Sequence, residues 1–182
     1  MKKRTSFHRL GGAVAMAALS SVALGAAPAA AAAEDTRLGK FVTYVFVACG
    51  GFVDLGDIGE IHMVTDAVGI PEVEPNVWFE EKADIAIVVE REDPNDPVCA
   101  VYMSGADAKR AVQTFDDFVA ASDGTIAPAE VSVTPGTPVP LAVYTFETEG
   151  GETGMIVLWE DVDVAGKLIV KVQRRLGTDM VS

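Results

Sequence analysis

Hydrophobic residues recur every three or four positions between Leu38 and Cys49. This spacing places them on one face of an amphipathic helix, which Gly50-Gly51 is expected to end. The β-branched and aromatic residues of "FVTYVFV" would also suit a strand, so the strand stays open as an alternative. The residues on the predicted helix face are Leu38, Phe41, Val42, Val45, Phe46 and Cys49.

Two further segments show helical spacing. In the first, Asp57 can cap the helix and Gly69, ahead of Pro71, can stop it; its apolar side is Ile58, Ile61, Val64, Ala67 and Val68. In "SGADAKRAVQTFDDFVAA", Ser104 followed by Asp107 is a variant of the capping box. The apolar face of this third helix is Ala108, Ala111, Val112, Phe115, Phe118 and Val119.

Short apolar runs predict strands. "ADIAIVVE" (83–90) and "VCAVYM" (98–103) are joined by the turn-rich "REDPNDP" and predict an antiparallel pair. After the third helix come "EVSV", "LAVYTFET", "GMIVLW" and "KLIVKVQ", separated by segments rich in Pro, Gly and acids. Helices and strands are thus segregated along the chain. This order predicts an α+β fold, with an antiparallel sheet of about five or six strands covered on one face by about three helices.

Residues 1–33 have the pattern of an export signal. Four basic residues among the first nine precede an acid-free, Ala-rich run that ends in small residues, as in cleaved secretory signals. We expect cleavage after Ala33, with positions 30–32 as alternatives. The run from Leu10 is also long enough for a membrane anchor, but its Ala and Gly content and Pro28 favour the signal. The prediction is a single α+β domain of residues 34–182, exported to the periplasm or the extracellular space and not bound to a membrane.

Signal removal makes the chain more acidic. The full chain has 14 basic and 27 acidic residues; loss of four bases and no acid leaves a net charge of −17. Such a charge repels nucleic acids and anionic lipid surfaces, so neither is expected as a partner. The basic group Lys167, Lys171, Arg174 and Arg175 lacks interleaved aromatic residues and is interpreted as a solvated strand face. A basic protein is the partner class that the charge favours.

The two cysteines, Cys49 and Cys99, are expected to form a disulfide. Cys49 continues the buried helix stripe, and Cys99 shares a strand face with Val101 and Met103, so both point inward. An isolated pair in an exported protein is expected to oxidise. The rival is a Cys49–His62–Asp66 triad, but a reactive thiolate needs an electropositive setting.

Other chemistry finds little support in the sequence. Two separated cysteines and His62 lack the paired spacing of a zinc site, and no glycine-rich phosphate loop joins a strand to a helix. Several carboxylate pairs could act as acid and base in glycoside cleavage: Glu80-Glu81, Asp116-Asp117 and Glu160-Asp161-Asp163. The oxygen-rich "DPND" (93–96) and "EDVD" (160–163) could hold calcium but do not match an EF-hand loop. We expect no cofactor and no metal.

Three functional hypotheses remain. The first is a non-catalytic binding domain, inhibitor-like or accessory, whose acidic face docks on a basic protein. The acids proposed to face that partner are Asp93, Asp96, Glu160, Asp161 and Asp163. The second is a carboxylate-based or divalent-ion-assisted hydrolase. The third is a structural or assembly subunit that uses a free sheet edge.

Overall fold

An eight-stranded antiparallel sheet is the centre of the molecule, and helices pack against it. The computed structural model describes residues 27–90, 97–130, 139–161 and 163–174. The predicted α+β class is confirmed, but the sheet has more strands than the five or six expected. The difference comes from strands of only three or four residues, which are too short to show a period. The strands are β1 Glu72–Glu74, β2 Val77–Glu80, β3 Ile85–Glu90, β4 Val98–Met103, β5 Ile126–Pro128, β6 Ala142–Glu147, β7 Thr153–Glu160 and β8 Leu168–Arg174.

The strand order is β1-β2-β3-β4-β8-β7-β6-β5. The chain builds one half as a meander from β1 to β4, crosses to the far edge, and returns inward from β5 to β8. β8 therefore pairs with β4 at the centre, where Val101 lies opposite Val170. The predicted strand "EVSV" lies largely outside the described residues, and so does the turn "REDPNDP" except for its last proline.

A long helix precedes the sheet. It runs as α1 Ala27–Thr43, a π-helical segment Tyr44–Cys49 and α2 Gly50–Leu55, which we call together the long helix. The prediction that Gly50-Gly51 ends it was wrong: the chain stays helical until Gly56, whose left-handed φ of 69° ends it. Glycine weakens a helix without terminating it, and the burial of Phe52 and Val53 beyond the glycines stabilises the last turn.

Part of the long helix, Ala33–Leu55, has the length and hydropathy of a membrane span, and half of it is buried in the fold. A core helix and a signal sequence have the same properties, so this feature does not by itself place the chain in a membrane. The prediction of a signal in residues 1–33 falls mainly outside the described residues.

Two other helices complete the helical layer: α3 Gly59–Val68 and α4 Ala108–Ala120. Gly69 ends α3 in a left-handed conformation, as predicted, although Val68 is 56% exposed rather than on a buried face. Ser104 is not the cap of α4. Asp107 takes that role, because its Oδ1 accepts a hydrogen bond of 2.9 Å from the Arg110 amide.

The predicted disulfide is present. Cys49 at the end of the π-helical segment is bonded to Cys99 on β4, and both residues are fully buried. The bond joins the long helix to the central strands and identifies the helix-covered face of the sheet. A structural disulfide is consistent with an oxidising compartment.

Polar contacts fix the first half of the long helix. The Arg37 guanidinium donates two hydrogen bonds to main-chain carbonyls. Its Nε donates to Ala83 at 2.9 Å, and its Nη2 donates to Ser104 at 2.6 Å. The Tyr44 hydroxyl donates to Glu80 at 2.7 Å, and Lys40 also pairs with Glu80. Burial alone would raise the pKa of Glu80, but the hydrogen bonds from Lys40 and Tyr44 outweigh it and lower that pKa.

Candidate functional site

The acids predicted to face a partner are distributed between described and undescribed segments. Asp93 and Asp96 lie outside the described residues. Glu160 accepts a hydrogen bond from the Gly166 amide at 2.9 Å, so this carboxylate closes the β7–β8 loop. Asp163 is exposed, and its role toward a partner stays a prediction.

Asp161 also supports the β7–β8 loop. Its Oδ1 accepts from the amides of Asp163 and Val164, and its Oδ2 lies 2.9 Å from Lys167 Nζ. The hydrogen bond from Lys167, followed by the backbone bond from Asp163, lowers the pKa of this carboxyl group. Asp161 therefore has an internal role that the sequence did not indicate.

Neither a thiolate nor a metal cluster is found in the described part of the chain. The sulfur of Cys49 is in a disulfide, so the triad with His62 and Asp66 has no nucleophile. The His62 ring instead contacts Trp78 edge-on, with centroids 5.3 Å apart. Among the described residues, no group of three or more His, Cys, Asp and Glu could hold a metal ion.

A cavity of about 250 Å³ between the long helix and the β5–β7 end of the sheet is the candidate site. We call it the helix–sheet groove. Its walls combine aromatic and aliphatic side chains, two carboxylates and two glycines. The lining residues are Phe46, Gly50, Gly51, Asp54, Thr125, Ile126, Phe146, Glu147 and Ile156.

The helical wall follows from spacing along the long helix. Phe46, Gly50 and Asp54 are four residues apart and share one side of the helix. A Cβ on Gly50 would have only the Val45 carbonyl oxygen nearby, at an ordinary 3.7 Å. Packing thus does not require glycine at this position, although glycine in a helix interior costs about 1 kcal/mol relative to alanine. Its missing side chain leaves the helix surface bare between an aromatic ring and a carboxylate.

The Phe46 end of this wall rests on an aromatic cluster. Phe46 stacks on Phe118 with centroids 4.2 Å apart and an interplanar angle of 18°, and it lies 5.6 Å from Phe115. Phe46 belongs to the π-helical segment, and π-helical turns are frequent at functional sites. The ring is therefore held in place from one side while it lines the groove.

The sheet wall depends on a cross-strand pair. Phe146 on β6 is opposite Gly154 on β7 and also pairs with Ile126 on β5. A Cβ on Gly154 would lie 2.2 Å from Phe146 Cζ, so the ring occupies the space above this glycine. Glycine at 154 thus leaves room for the far end of the Phe146 ring.

The groove is negatively charged. Among the lining residues that the structure describes, Asp54 and Glu147 are charged and none is basic, and the Glu60 carboxylate lies 3.3 Å from the position of a Cβ on Gly51. Asp54 accepts a hydrogen bond of 2.8 Å from the Glu149 amide, which ties the end of the long helix to the β6–β7 turn.

A second, open space lies at the β5–β7 end of the sheet, where Ala127, Thr145 and Thr153 alternate along their strands with Ile126, Phe146 and Gly154. Its volume is about 600 Å³, and it shares Thr125, Phe146 and Glu147 with the groove. The remaining lining residues are small or carry hydroxyls: Gly124, Ala127, Thr145, Gly151 and Thr153.

Exposed apolar side chains surround the groove. Val47 and Leu55 are 48% and 52% exposed, and each lies four positions from Gly51 on the long helix. Phe118, which supports Phe46, is 37% exposed. Exposed apolar residues around a concave site are typical of protein–protein interfaces.

Both sheet edges are short. β1 is three exposed residues, two of them Glu, and β5 is three residues ending in Pro128. Charge and proline on short edge strands oppose pairing with another strand. These edges give little support to assembly by strand addition.

Sequence reasoning missed the groove. The predicted helix ended at Gly50, so the prediction did not place Asp54 on the same side of the helix as Phe46. The four-residue spacing of Phe46, Gly50 and Asp54 was the signal available in the sequence for the helical wall. The sheet wall of the groove comes from residues about 100 positions later, which no local spacing links to the helix.

Comparisons with protein-family models, with curated proteins and with solved structures gave no significant match to this chain. The fold and groove therefore define a class rather than a family: an α+β domain with a disulfide-linked helical layer and an acidic groove at one end of its sheet.

Proposed function

We propose that this protein is an exported, non-catalytic binding domain that docks on a basic protein through the helix–sheet groove and its apolar surroundings. The predicted signal and the buried disulfide support export to the periplasm or the extracellular space. The observation that carries the proposal is the combination of Phe46, Phe146, Asp54 and Glu147 around one cavity, with no basic side chain among the lining residues that the structure describes.

Charge favours a basic partner. The whole chain has a formal net charge of −13, which becomes −17 if the signal is removed after Ala33. Acidic residues steer a basic partner to the site and raise the association rate. The groove adds a local recess for a cation, which a uniformly acidic surface would not provide.

The exposed apolar residues favour a protein over a small molecule. Val47, Leu55 and Phe118 offer contact area outside the groove itself. Interfaces commonly combine a central anchor pocket with surrounding contacts that exclude water. A free amine or small cation would leave these side chains in water.

The hydrolase hypothesis is supported less well. Asp54 and Glu147 do line one cavity, but Asp54 is held by the Glu149 amide and also serves as a tether for the β6–β7 turn. The exposed apolar surroundings have no evident use in glycoside cleavage. Incubation of the protein with oligosaccharides, followed by mass measurement of the sugars, separates the two hypotheses because only a glycoside hydrolase would cleave them.

The test is affinity capture from the exported fraction with three immobilised baits. They are the wild-type protein, a groove variant Asp54→Asn/Glu147→Gln, and a control variant Asp66→Asn/Glu74→Gln. The control changes the net charge equally, but Asp66 and Glu74 are exposed on α3 and β1. Asparagine at 54 retains an oxygen that can accept from the Glu149 amide.

We expect the wild-type and control baits to retain the same basic protein and the groove variant to lose it. Binding of that protein, once purified, should weaken steeply between about 50 and 500 mM NaCl because salt screens exposed charges. Equal capture by all three baits, or salt-independent binding, would show that the groove acids do not form the docking site.

A further inference from the structure

We infer that two copies of this protein associate through the face of the sheet opposite the helical layer, so that the two sheets pack against each other in an apolar, two-fold symmetric contact. We call this surface the outer face. It is separate from the helix–sheet groove, so the inference goes beyond the proposed function and does not depend on it. The principal residues of the outer face are Val77, Phe79, Val88, Tyr102, Trp159 and Ile169.

The strand register places an apolar and aromatic row on the outer face. Cys99 of β4 faces the long helix, to which it is disulfide-bonded. Side chains alternate between the two faces of a strand, so Tyr102, an odd number of positions away, lies on the opposite face. Tyr102 is paired with Ile169 on β8, which is paired in turn with Trp159 on β7. The whole row is Phe79, Ala86, Tyr102, Ile169 and Trp159.

A second row runs beside the first, and it too is mainly apolar. Its members are Val77, Val88, Ala100, Lys171 and Val157. An antiparallel sheet with one face in water normally has polar residues at every second position. The sequences of β3, "IAIVVE", and of β4, "VCAVYM", are instead apolar at consecutive positions. Consecutive apolar residues are typical of strands that are buried on both faces.

The hydrophobic core uses only the other face of the sheet. The core cluster contains alternate residues such as Ile87, Val101 and Val170. None of the six principal residues of the outer face belongs to this cluster or packs against it, and all six are partly exposed. Ala100 and Val157 are buried but also lie outside the cluster. The sheet therefore has a second apolar face, and an apolar face in contact with water marks an interaction surface.

Charge selects a second copy as the occupant. Of the residues in the two rows, only Lys171 is charged, and its Nζ lies 4.0 Å from the carboxylate of Glu90. A basic protein would find no excess of acid here, although the chain has a formal net charge of −13. The acidic remainder of the surface repels another copy. The outer face is neutral and apolar, so a second copy supplies the matching surface that a two-fold contact requires.

The geometry of a sheet also fits this contact. Two sheets pack face to face when both have the same twist, at an angle of about 30°, and identical copies meet this condition. Six strands of about six residues, with a spacing of about 4.8 Å, cover about 28 by 20 Å. A contact of that extent is near the lower limit for stable protein interfaces. We therefore expect a dimer that dissociates on dilution.

The first measurement is the mass of the purified exported protein in solution. Size-exclusion chromatography with light scattering should cover about a hundred-fold range of concentration, because the dimer fraction depends on protomer concentration. We expect twice the monomer mass at the upper end. The dimer fraction should be higher in about 500 mM than in about 50 mM NaCl, since salt screens the repulsion between two acidic copies. Docking on a basic protein has the opposite salt dependence, which distinguishes the two associations.

Two lysine substitutions test the location. Val88→Lys places a charge within the outer face, whereas Val68→Lys makes the same change on α3, where the side chain is 56% exposed. A charge buried in an apolar contact without a partner is costly, so we expect Val88→Lys to raise the dimer dissociation constant at least about ten-fold. Val68→Lys should leave it unchanged. Circular dichroism checks that both variants fold.

A milder variant covers the case in which Val88→Lys does not fold. Ile169→Thr keeps a β-branched side chain, which suits a strand, but replaces part of the apolar surface with a hydroxyl group. It should also weaken the dimer, by a smaller factor than Val88→Lys.

Three results would overturn the inference. A monomer at every concentration would mean that the chain itself or a different partner covers the outer face. A dimer that folded Val88→Lys and Ile169→Thr leave intact would place the contact elsewhere. Dissociation at high salt would assign the dimer to charged contacts. Loss of groove-dependent capture of a basic protein would overturn the proposed function and leave these three results unaffected.

Discussion

The ring of Phe146 covers Gly154 on the neighbouring strand, so that a Cβ on this glycine would come within 2.2 Å of the ring. Aromatic residues across a strand pair commonly shield a glycine in this way. Phe146 lines the helix–sheet groove, and the close fit of its ring over Gly154 has a direct consequence for stability.

Replacement of Gly154 by alanine should force the Phe146 ring out of position. Overpacking of this kind typically costs about 1–3 kcal/mol, and we expect a loss of that size in the free energy of unfolding, measured by urea denaturation. Gly150→Ala is the control because the nearest atom to its Cβ is Thr148 Oγ1 at 3.8 Å; it should change stability by less than about 0.5 kcal/mol. Equal effects of the two variants would show that Phe146 does not pack on Gly154.

Removal of the Cys49–Cys99 disulfide should destabilise the protein strongly. The bond closes a loop with a sequence separation of 50, for which the chain-entropy model gives about 4 kcal/mol. The variant Cys49→Ala/Cys99→Ala should show that loss in urea denaturation under non-reducing conditions. Thiol titration of the native exported protein should find no free cysteine; two titratable thiols would contradict the assignment.

Gly50→Ala should stabilise the fold. A methyl group at this position meets no close atom, and alanine restricts the unfolded chain, so we expect a gain of about 0.5–1 kcal/mol in the free energy of unfolding. Gly39→Ala, on the same helix with open space around it, should give a similar gain. A loss for Gly50→Ala alone would mean that another group already fills the groove at this point.

Stability should decline above about pH 10 because of two tyrosines. Burial, followed by a hydrogen bond to a carboxylate, raises the pKa of Tyr44 beside Glu80 and of Tyr144 beside Asp116 well above the ordinary value of 10.0. Above that value the unfolded tyrosines ionise while the folded ones stay protonated, so unfolding is favoured. Their contribution is complete below about pH 10 and is lost as the pH rises toward their folded pKa values.

The variant Tyr44→Phe/Tyr144→Phe tests this pH dependence. Each lost hydrogen bond should cost about 1 kcal/mol near neutral pH, and the decline of the urea midpoint between about pH 9 and 12 should be shallower than in the wild type. Parallel curves for the two proteins would assign the alkaline decline to other groups.

The processing site is the last prediction. If cleavage follows Ala33, the exported protein begins at Glu34, whose carboxylate accepts from the Asp107 amide at 3.2 Å and pairs with Arg110 at 3.3 Å. Intact mass measurement of the exported protein should match residues 34–182. Retention of the uncleaved chain in the membrane fraction would instead support the anchor interpretation of residues 10–33.

Periodicity correctly located the helices and the longer strands. The core positions Leu38, Phe41 and Val45 are each fully buried, because an amphipathic stripe is a local property. The short strands β1, β2 and β5 escaped prediction, since three or four residues show no measurable period. The error at Gly50 had another cause: two glycines weaken a helix locally, but burial of Phe52 beyond them keeps the chain helical.

The sequence by itself determined the segregated α+β order, the acidic charge and the cysteine pair, because each depends on composition or on neighbours a few positions apart. The tertiary structure alone decided which carboxylates support loops and which line a cavity. The groove brings together residues 46–54, 125–126 and 146–156. They meet only because β5 to β7 form the half of the sheet away from β1 to β3 and pack against the long helix. Contacts between such distant segments depend on how the layers pack, and local patterns contain no record of that packing.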